Sequence, residues 1–530
     1  MSDRLPDPDP YGGRRTGELT FREMLRWAWR QLTSMRTALV LLLLLALAAI
    51  PGSVIPQADV DALKTSQWQE AHPTLTPIYE KLGLFSVFDS AWFSAIYLLL
   101  MASLVGCIVP RSFVYWKAMR AAPPRAPRNL TRLPDHAAYI TEAEADEVLA
   151  LAARVLDDRG YRVVSTTSGD SDNGGSVSAE KGYLREAGNL LFHLSVLVVL
   201  VGFGIGSLFG YRGGVILVVG NGFSNNLTQY DDFVPGDLFD PSAMEPFSFD
   251  IDSFDIEWLT SGPAKGQARS FVSHLTYQET PSAEEKKYDL KVNHPLAIGG
   301  TEIFLIGHGY APVITVRDGN GDVVYSGPTI FLPTDPTFRS FGVVKAPDAR
   351  PQQIGLEGEF YPTYAFTPES GPFSVFGNAI NPAISMLVYT GDLNMDSGAP
   401  QSVYALDTSK AEVVKKADGS MFRVDLEPGE QVDLPNGLGS VSFDGVERWN
   451  KIQISRTPGK LVALAGVVLA LLGLLGSLFI RPRRFWVRVR RTADGTLVEV
   501  AGLDRSGGGD TASELDDIMA ALGGPLKEKA

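Results

Sequence analysis

The chain has 530 residues, more than one compact domain ordinarily holds, so two or more structural units are expected. Hydrophobic residues make up 45% and charged residues 20%, which excludes a disordered, collagen-like or coiled-coil architecture. A single cysteine, Cys107, excludes a disulfide scaffold, C-x-x-C redox chemistry, a thiolate zinc site and self-attached c-type haem, and a net charge of −14 argues against nucleic-acid binding.

In chain order, residues 1–36 form a lead rich in arginine: Arg4, Arg14, Arg15, Arg22, Arg26, Arg30 and Arg36. Four apolar runs follow, at 37–55, 90–109, 190–209 and 461–480, none containing Asp, Glu, Lys or Arg. A bilayer core about 30 Å thick takes about 20 such residues per helix, so each run predicts a membrane span. The first run starts too late for a cleavable signal peptide. It is followed by Pro51-Gly52 and Pro56 rather than by a small-x-small site, and it reads as a signal anchor.

The loops orient the spans. The loop at 56–89 has only Lys64 and Lys81 as bases. The segment after the second run carries Arg111, Lys117, Arg120, Arg125, Arg128 and Arg132, and the segment after the fourth carries Arg481, Arg483, Arg484, Arg488, Arg490 and Arg491. The positive-inside rule places both termini and the loop at 110–189 in the cytoplasm, with 210–460 outside. Residues 211–457 hold 32 acids against 17 bases, so the acidity of the whole chain belongs to this external segment.

The cytoplasmic loop predicts a small α+β unit. A capping box at Thr141-x-x-Glu144 leads into a helix through Val148 and Leu156, Gly160 stops it, and strands follow at 161–166 and 177–180. The external segment alternates short β-rich stretches, clearest at 215–219, 302–306, 313–316, 323–325 and 441–443, with turns such as Asp318-Gly-Asn-Gly-Asp322. A β-sandwich or stacked-sheet domain is expected there. The tail at 481–530 predicts a hairpin around Asp494-Gly495, a linker at 506–509 and a last helix capped by Thr511-x-x-Glu514. The fold expected is thus a multi-pass membrane protein of four transmembrane helices, three N-terminal and one C-terminal, with a large β-rich extracytoplasmic domain and a small cytoplasmic α+β loop.

No phosphate-binding loop, H-E-x-x-H or G-x-S-x-G motif occurs. Gly202, Gly206 and Gly210 recur every four residues in the third run and predict a close helix-packing face. Cys107, near the inner end of the second run, predicts an inert packing thiol. Of six histidines, His72, His136, His274, His294 and His308 lie in polar segments and predict structural or surface roles. His294 and His308 flank one β-rich stretch and are weaker candidates to share a metal or a haem, which nothing in their spacing demands. His193 differs, because it lies within an apolar run, about 5 Å inside the cytoplasmic edge at 1.5 Å per residue, and faces away from Gly202. An ionisable group in hydrocarbon is a functional candidate, and neutral imidazole is an axial ligand for haem iron. A helix–helix hydrogen bond is the alternative.

Several segments together resemble the ResB/CcsB family of cytochrome c biogenesis proteins, of the System II pathway. They are the arginine-rich lead with TALVLLLLLALAAIPGSVIPQ, Ser90-Ala-Trp92-Phe93, the exit from Cys107 to Arg111, Glu180-Lys-Gly182, Arg185, Gly188 with LLFHLSVLVVLVG, Val292-Asn-His-Pro-Leu296 and Pro458-Gly459. The resemblance implies a component working with a haem-handling membrane protein of the ResC/CcsA type. Together they would move haem b outward and present it to apocytochrome c, with this chain as an accessory rather than a catalytic subunit. It also implies that His193 matches the family's intramembrane haem-holding histidine. The eight tryptophans are scattered, so the partner's tryptophan-rich motif is expected on another chain. Two other readings remain: an envelope anchor whose external domain binds a protein without haem, and a transporter, which four helices without an inverted repeat support poorly.

Overall fold

The computed structural model describes residues 20–58, 60, 62–167, 174–259, 261–262, 267–395, 403–505 and 510–524. Arg4, Arg14, Arg15 and the linker at 506–509 lie outside the described residues. Two compact units are present, one formed by residues up to 204 with those from 459 onward, the other by 205–458.

In the first unit, α1 (Phe21–Leu32) opens with a capping box between Thr20 and Glu23. Arg22, Arg26 and Arg30 follow one another at four-residue spacing, while Phe21, Leu25, Trp27 and Trp29 stay more than half exposed. Apolar and basic residues on one short helix suit a membrane interface. After a break at Thr33, α2 (Met35–Val54) is capped by Ser34. Short helices α3 (Ala62–Ala71) and α4 (Thr76–Lys81) follow, held by Trp68 stacked on His72 and Tyr79. Helix α5 (Ala91–Arg120) is 30 residues long and continues past the apolar run, carrying Pro110 inside it.

Helices α2, α5, α7 (Arg185–Phe209) and α8 (Lys460–Phe479) are long and apolar enough to cross a bilayer, and most of their surface is unburied by protein. That is the distribution lipid-facing helices require.

The α+β domain joins two distant stretches of chain. Its antiparallel sheet runs in the order Asp135–Thr141, Gly495–Asp504, Arg483–Thr492, Gly175–Lys181, Arg162–Thr167. The tail hairpin therefore occupies the centre of a sheet whose edges come from the loop between α5 and α7. Helices α6 (Ala145–Asp158) and α9 (Thr511–Ala521) cover a core that includes Leu156, Val177, Phe485, Val487, Val500 and Ile518. Two capping predictions need correction. Helix α6 starts at Ala145, with Thr141 ending a strand and Glu144 paired with Arg491. Helix α9 is capped by Asp510, while Glu514 takes hydrogen bonds from Tyr161 and Arg483.

The strand-rich domain is contiguous. Its spine is a pair of long antiparallel strands, Thr301–Arg317 and Gly439–Arg456, so the stretches predicted at 302–306 and 313–316 are one strand. One end of the spine packs Ile303, Leu305, Ile452 and Ile454 against the four-stranded sheet that contains Ser248–Trp258 and Ala268–Gln278. The other end packs Ile314, Val316, Val441 and Phe443 against a six-stranded sheet containing Gln353–Tyr361 and Ala383–Asp392. Two lobes thus share one ribbon. Two register shifts, between Leu305 and Gly307 and between Val313 and Ile314, interrupt it. The strand Tyr211–Val218, directly after α7, pairs with the end of the spine directly before α8, Tyr211 opposite Arg456. The loop Asp318–Asp322 closes a hairpin onto Val323–Pro328, as its composition predicts.

Candidate functional site

Helix α7 has two unlike sides. Gly188, Ser195 and Gly202, seven residues apart, lie against α8: a Cβ on Gly202 would come 2.6 Å from the Ala463 nitrogen, and one on Gly188 2.6 Å from the Ser477 nitrogen. Reciprocally, a Cβ on Gly473 would meet the Phe192 nitrogen at 2.5 Å and one on Gly466 the Val199 side chain at 2.7 Å. Only small residues permit backbones this close, and close approach is what associates helices in lipid. The predicted every-fourth glycine face is corrected here. Gly202 belongs to the contact, but Gly210 lies beyond the helix end and Gly206 sits against Thr457 and Pro458.

His193 lies on the side turned away from that contact. Its Nδ1 is 2.8 Å from the carbonyl oxygen of Asn189, one turn earlier, and its ring meets Phe192 edge-on at 5.3 Å. A carbonyl can only accept, so Nδ1 carries a proton, and in a neutral ring the lone pair is then on Nε2. Among the described residues Nε2 has no hydrogen-bond partner. The same side of α7 carries Leu200, whose carbonyl accepts from the Tyr97 hydroxyl of α5 at 3.2 Å. The imidazole is half-buried and held by its own helix.

Cys107 is an interhelix donor. Its Sγ reaches the Thr33 carbonyl at 2.8 Å, and Ser103 Oγ reaches the Leu32 carbonyl at 2.6 Å. Both groups satisfy carbonyls that the end of α1 leaves open, a structural role.

The other histidines separate. His294 is exposed in the turn after Lys286–Lys291, beside Lys287 and Asp289, whereas His308 lies in the spine among Phe254, Phe271 and Phe338. They line different cavities and do not share one. Burial among the rings, with the charge of Arg448, pulls the His308 imidazole down to about 4. His274 is the one that reasoning from sequence missed. It bridges two neighbouring strands, Nδ1 to Asp289 at 2.7 Å and Nε2 to Asp255 at 3.1 Å. The Asp289 bond foremost raises its imidazole above the ordinary value; desolvation, next in size, pulls the other way, and the Asp255 bond adds a smaller rise. Only cross-strand register brings these acids to it, which spacing along the chain does not reveal. Among the described residues, no group of three His, Cys, Asp or Glu side chains is placed to hold a bare metal ion.

The ResB-like family matches residues 35–516, from α2 into α9. The chain belongs to the ResB-like family. Among its curated relatives is a cytochrome c biogenesis protein CcsB of Synechococcus sp. (strain WH7803), 29% identical over 66% of this chain and 73% of that protein. The CcsB of Prochlorococcus marinus (strain MIT 9313) is 26% identical over 67% of this chain and 75% of the relative. That of P. marinus (strain MIT 9303) is 25% identical over 76% and 84%. The match takes in α7 with His193, the strand-rich domain and most of the α+β domain of this ResB-like chain.

Proposed function

We propose that this ResB-like protein serves cytochrome c biogenesis by holding haem at His193 while it crosses the membrane. A haem-handling membrane protein of the ResC/CcsA type shares the haem with it, and together they present it to apocytochrome c. The observation that carries the reading is the hydrogen bond from His193 Nδ1 to the Asn189 carbonyl, which fixes the tautomer and leaves the Nε2 lone pair free for iron. A half-exposed imidazole in hydrocarbon also calls for something to cover it, from the partner or from the haem itself. The chain's own residues orient and hold. Bond formation is left to the client's thiols and the haem vinyl groups, so the protein acts as an accessory subunit.

In this reading both termini and the α+β domain are cytoplasmic and the strand-rich domain is outside, which the arginine distribution supports. A reporter active only outside the cell, fused after Ile480, stays silent; activity there overturns the orientation. The acidic outer domain suits a basic client surface, so raised salt weakens capture. His193→Ala leaves the protein inserted in the membrane and abolishes cytochrome c maturation in cells, with partial rescue by added imidazole. Normal maturation in that variant contradicts the reading and favours an envelope anchor that binds a partner protein without haem.

A further inference from the structure

The strand-rich domain contains an apolar cleft that the reading above does not use. It encloses about 630 Å³ and is walled by Phe271, Val292, Pro295, Phe304, Leu305 and Ile306, with His308 among its lining residues. The volume is that of a small-molecule site. Local backbone features make it. The register shift at Ile306 turns that side chain outward, where it is 50% exposed. Asn293, at φ 64°, folds the turn that carries Val292 and Pro295 onto the rim. This turn is the Val292-Asn-His-Pro-Leu296 segment singled out in the sequence.

The polar groups beside His308 in the strand pair are incompletely matched. His308 has no hydrogen-bond partner among the described residues, and its ring is stacked on Phe338 at 4.6 Å and packed by Phe271 at 4.9 Å. Across the strand pair, Asn450 stands opposite His308 and Arg448 opposite Tyr310. Asn450 is fully buried, and its Nδ2, like Nη1 of Arg448, is buried without a hydrogen-bond partner. Native interiors rarely leave such groups unpaired, so each calls for a partner, whether water, an ion or a ligand. The aromatic packing keeps the imidazole neutral at physiological pH, with a lone pair to give.

These features select the ligand. A bare metal ion needs several protein donors, and the largely phenyl and aliphatic cleft walls offer only the His308 imidazole and the Asn293 amide. A purely apolar ligand has no use for a neutral imidazole. A metal that brings its own planar ring of donors needs one axial ligand and apolar walls. We propose that the His308 cleft is a second binding site for iron porphyrin, outside the membrane-spanning helices, where haem rests after His193. The proposal rests on the reading of this chain as a haem-handling protein.

The test is titration of the full-length protein in lipid nanodiscs with hemin, read by the Soret band of a histidine ligand. His193→Ala is expected to retain one saturable equivalent. Adding His308→Phe, which keeps the aromatic packing, is expected to weaken that equivalent about tenfold or more. Val292→Trp, which fills the cleft and leaves His308 in place, is expected to do the same. If His193→Ala alone removes all saturable binding, the second site is overturned and the reading of His193 stands. If His308→Phe removes a site and His193→Ala removes none, the cleft stands and the reading of His193 falls. Equal, non-saturating uptake by all variants overturns the cleft.

Discussion

The two soluble parts of this molecule are built by opposite strategies. The strand-rich domain is contiguous, and its first strand pairs with its last so that both ends of a long insertion close together. The α+β domain is split, with the centre of its sheet supplied by the tail and its edges by a loop more than 300 residues earlier, as in the pairing of Val487 with Val177. One domain folds from its own sequence. The sheet of the other cannot close until the segment after α8 has been made.

Deleting residues 481–530 sharpens this contrast most. It removes Phe485, Val487, Val489, Val498 and Val500 from the core, and the remainder of the α+β domain is expected to unfold completely. Limited proteolysis then cuts throughout 135–181 while the strand-rich domain keeps its wild-type pattern. Equal protection of 135–181 breaks the comparison.

A smaller effect follows from Glu180→Ala. Glu180 is 8% exposed and takes Arg484 at 2.7 Å and Arg162 at 3.1 Å. Removing it leaves two part-buried guanidinium groups uncompensated, at a cost of about 2–3 kcal/mol once their partial exposure is allowed for. Hydrogen exchange should speed up in the α+β sheet alone.

The helices flanking the strand-rich segment provide a third test. Gly202→Leu forces α7 from α8 and costs about 1–3 kcal/mol, read as a lower melting temperature in detergent. Gly204→Leu, with nothing within 4 Å of its Cβ position, is expected to be neutral.

The last effect is a pH dependence confined to the strand-rich domain. His308 stays neutral when folded down to about 4, whereas the unfolded imidazole protonates near 6.5. Between those values the unfolded chain binds more protons, so stability falls as pH falls, by about 2 kcal/mol at pH 5. His308→Phe removes this loss. His274, with a raised value, works the other way: its stabilisation is present at low pH and fades as pH rises through its folded value. Exchange of amides in Thr301–Arg317 as a function of pH separates the two.

Much of this was legible in the sequence. The four spans follow from uninterrupted apolar runs, the tail hairpin from Asp494-Gly495, and the candidate His193 from being an imidazole in hydrocarbon. What was hidden depends on contacts between distant residues. The hairpin could be read, but not that it fills the centre of another segment's sheet. Nothing in local composition shows Glu144 reaching Arg491 instead of capping a helix, or Asp255 and Asp289 meeting at His274. The glycine face was misread because two helices in close contact repeat every seven residues, and Gly188 and Ser195 matter more than Gly206 and Gly210.

The most direct test of the proposal that His193 holds haem is the absorption spectrum of the protein purified together with the proposed ResC/CcsA-type partner. The wild-type complex is expected to carry haem with a histidine-ligated Soret band. His193→Ala should lower that band sharply, and added imidazole should restore it by occupying the vacant iron position. A His193→Ala complex with the wild-type haem content and spectrum would contradict the account and leave His193 as a hydrogen-bonding residue of the helix bundle.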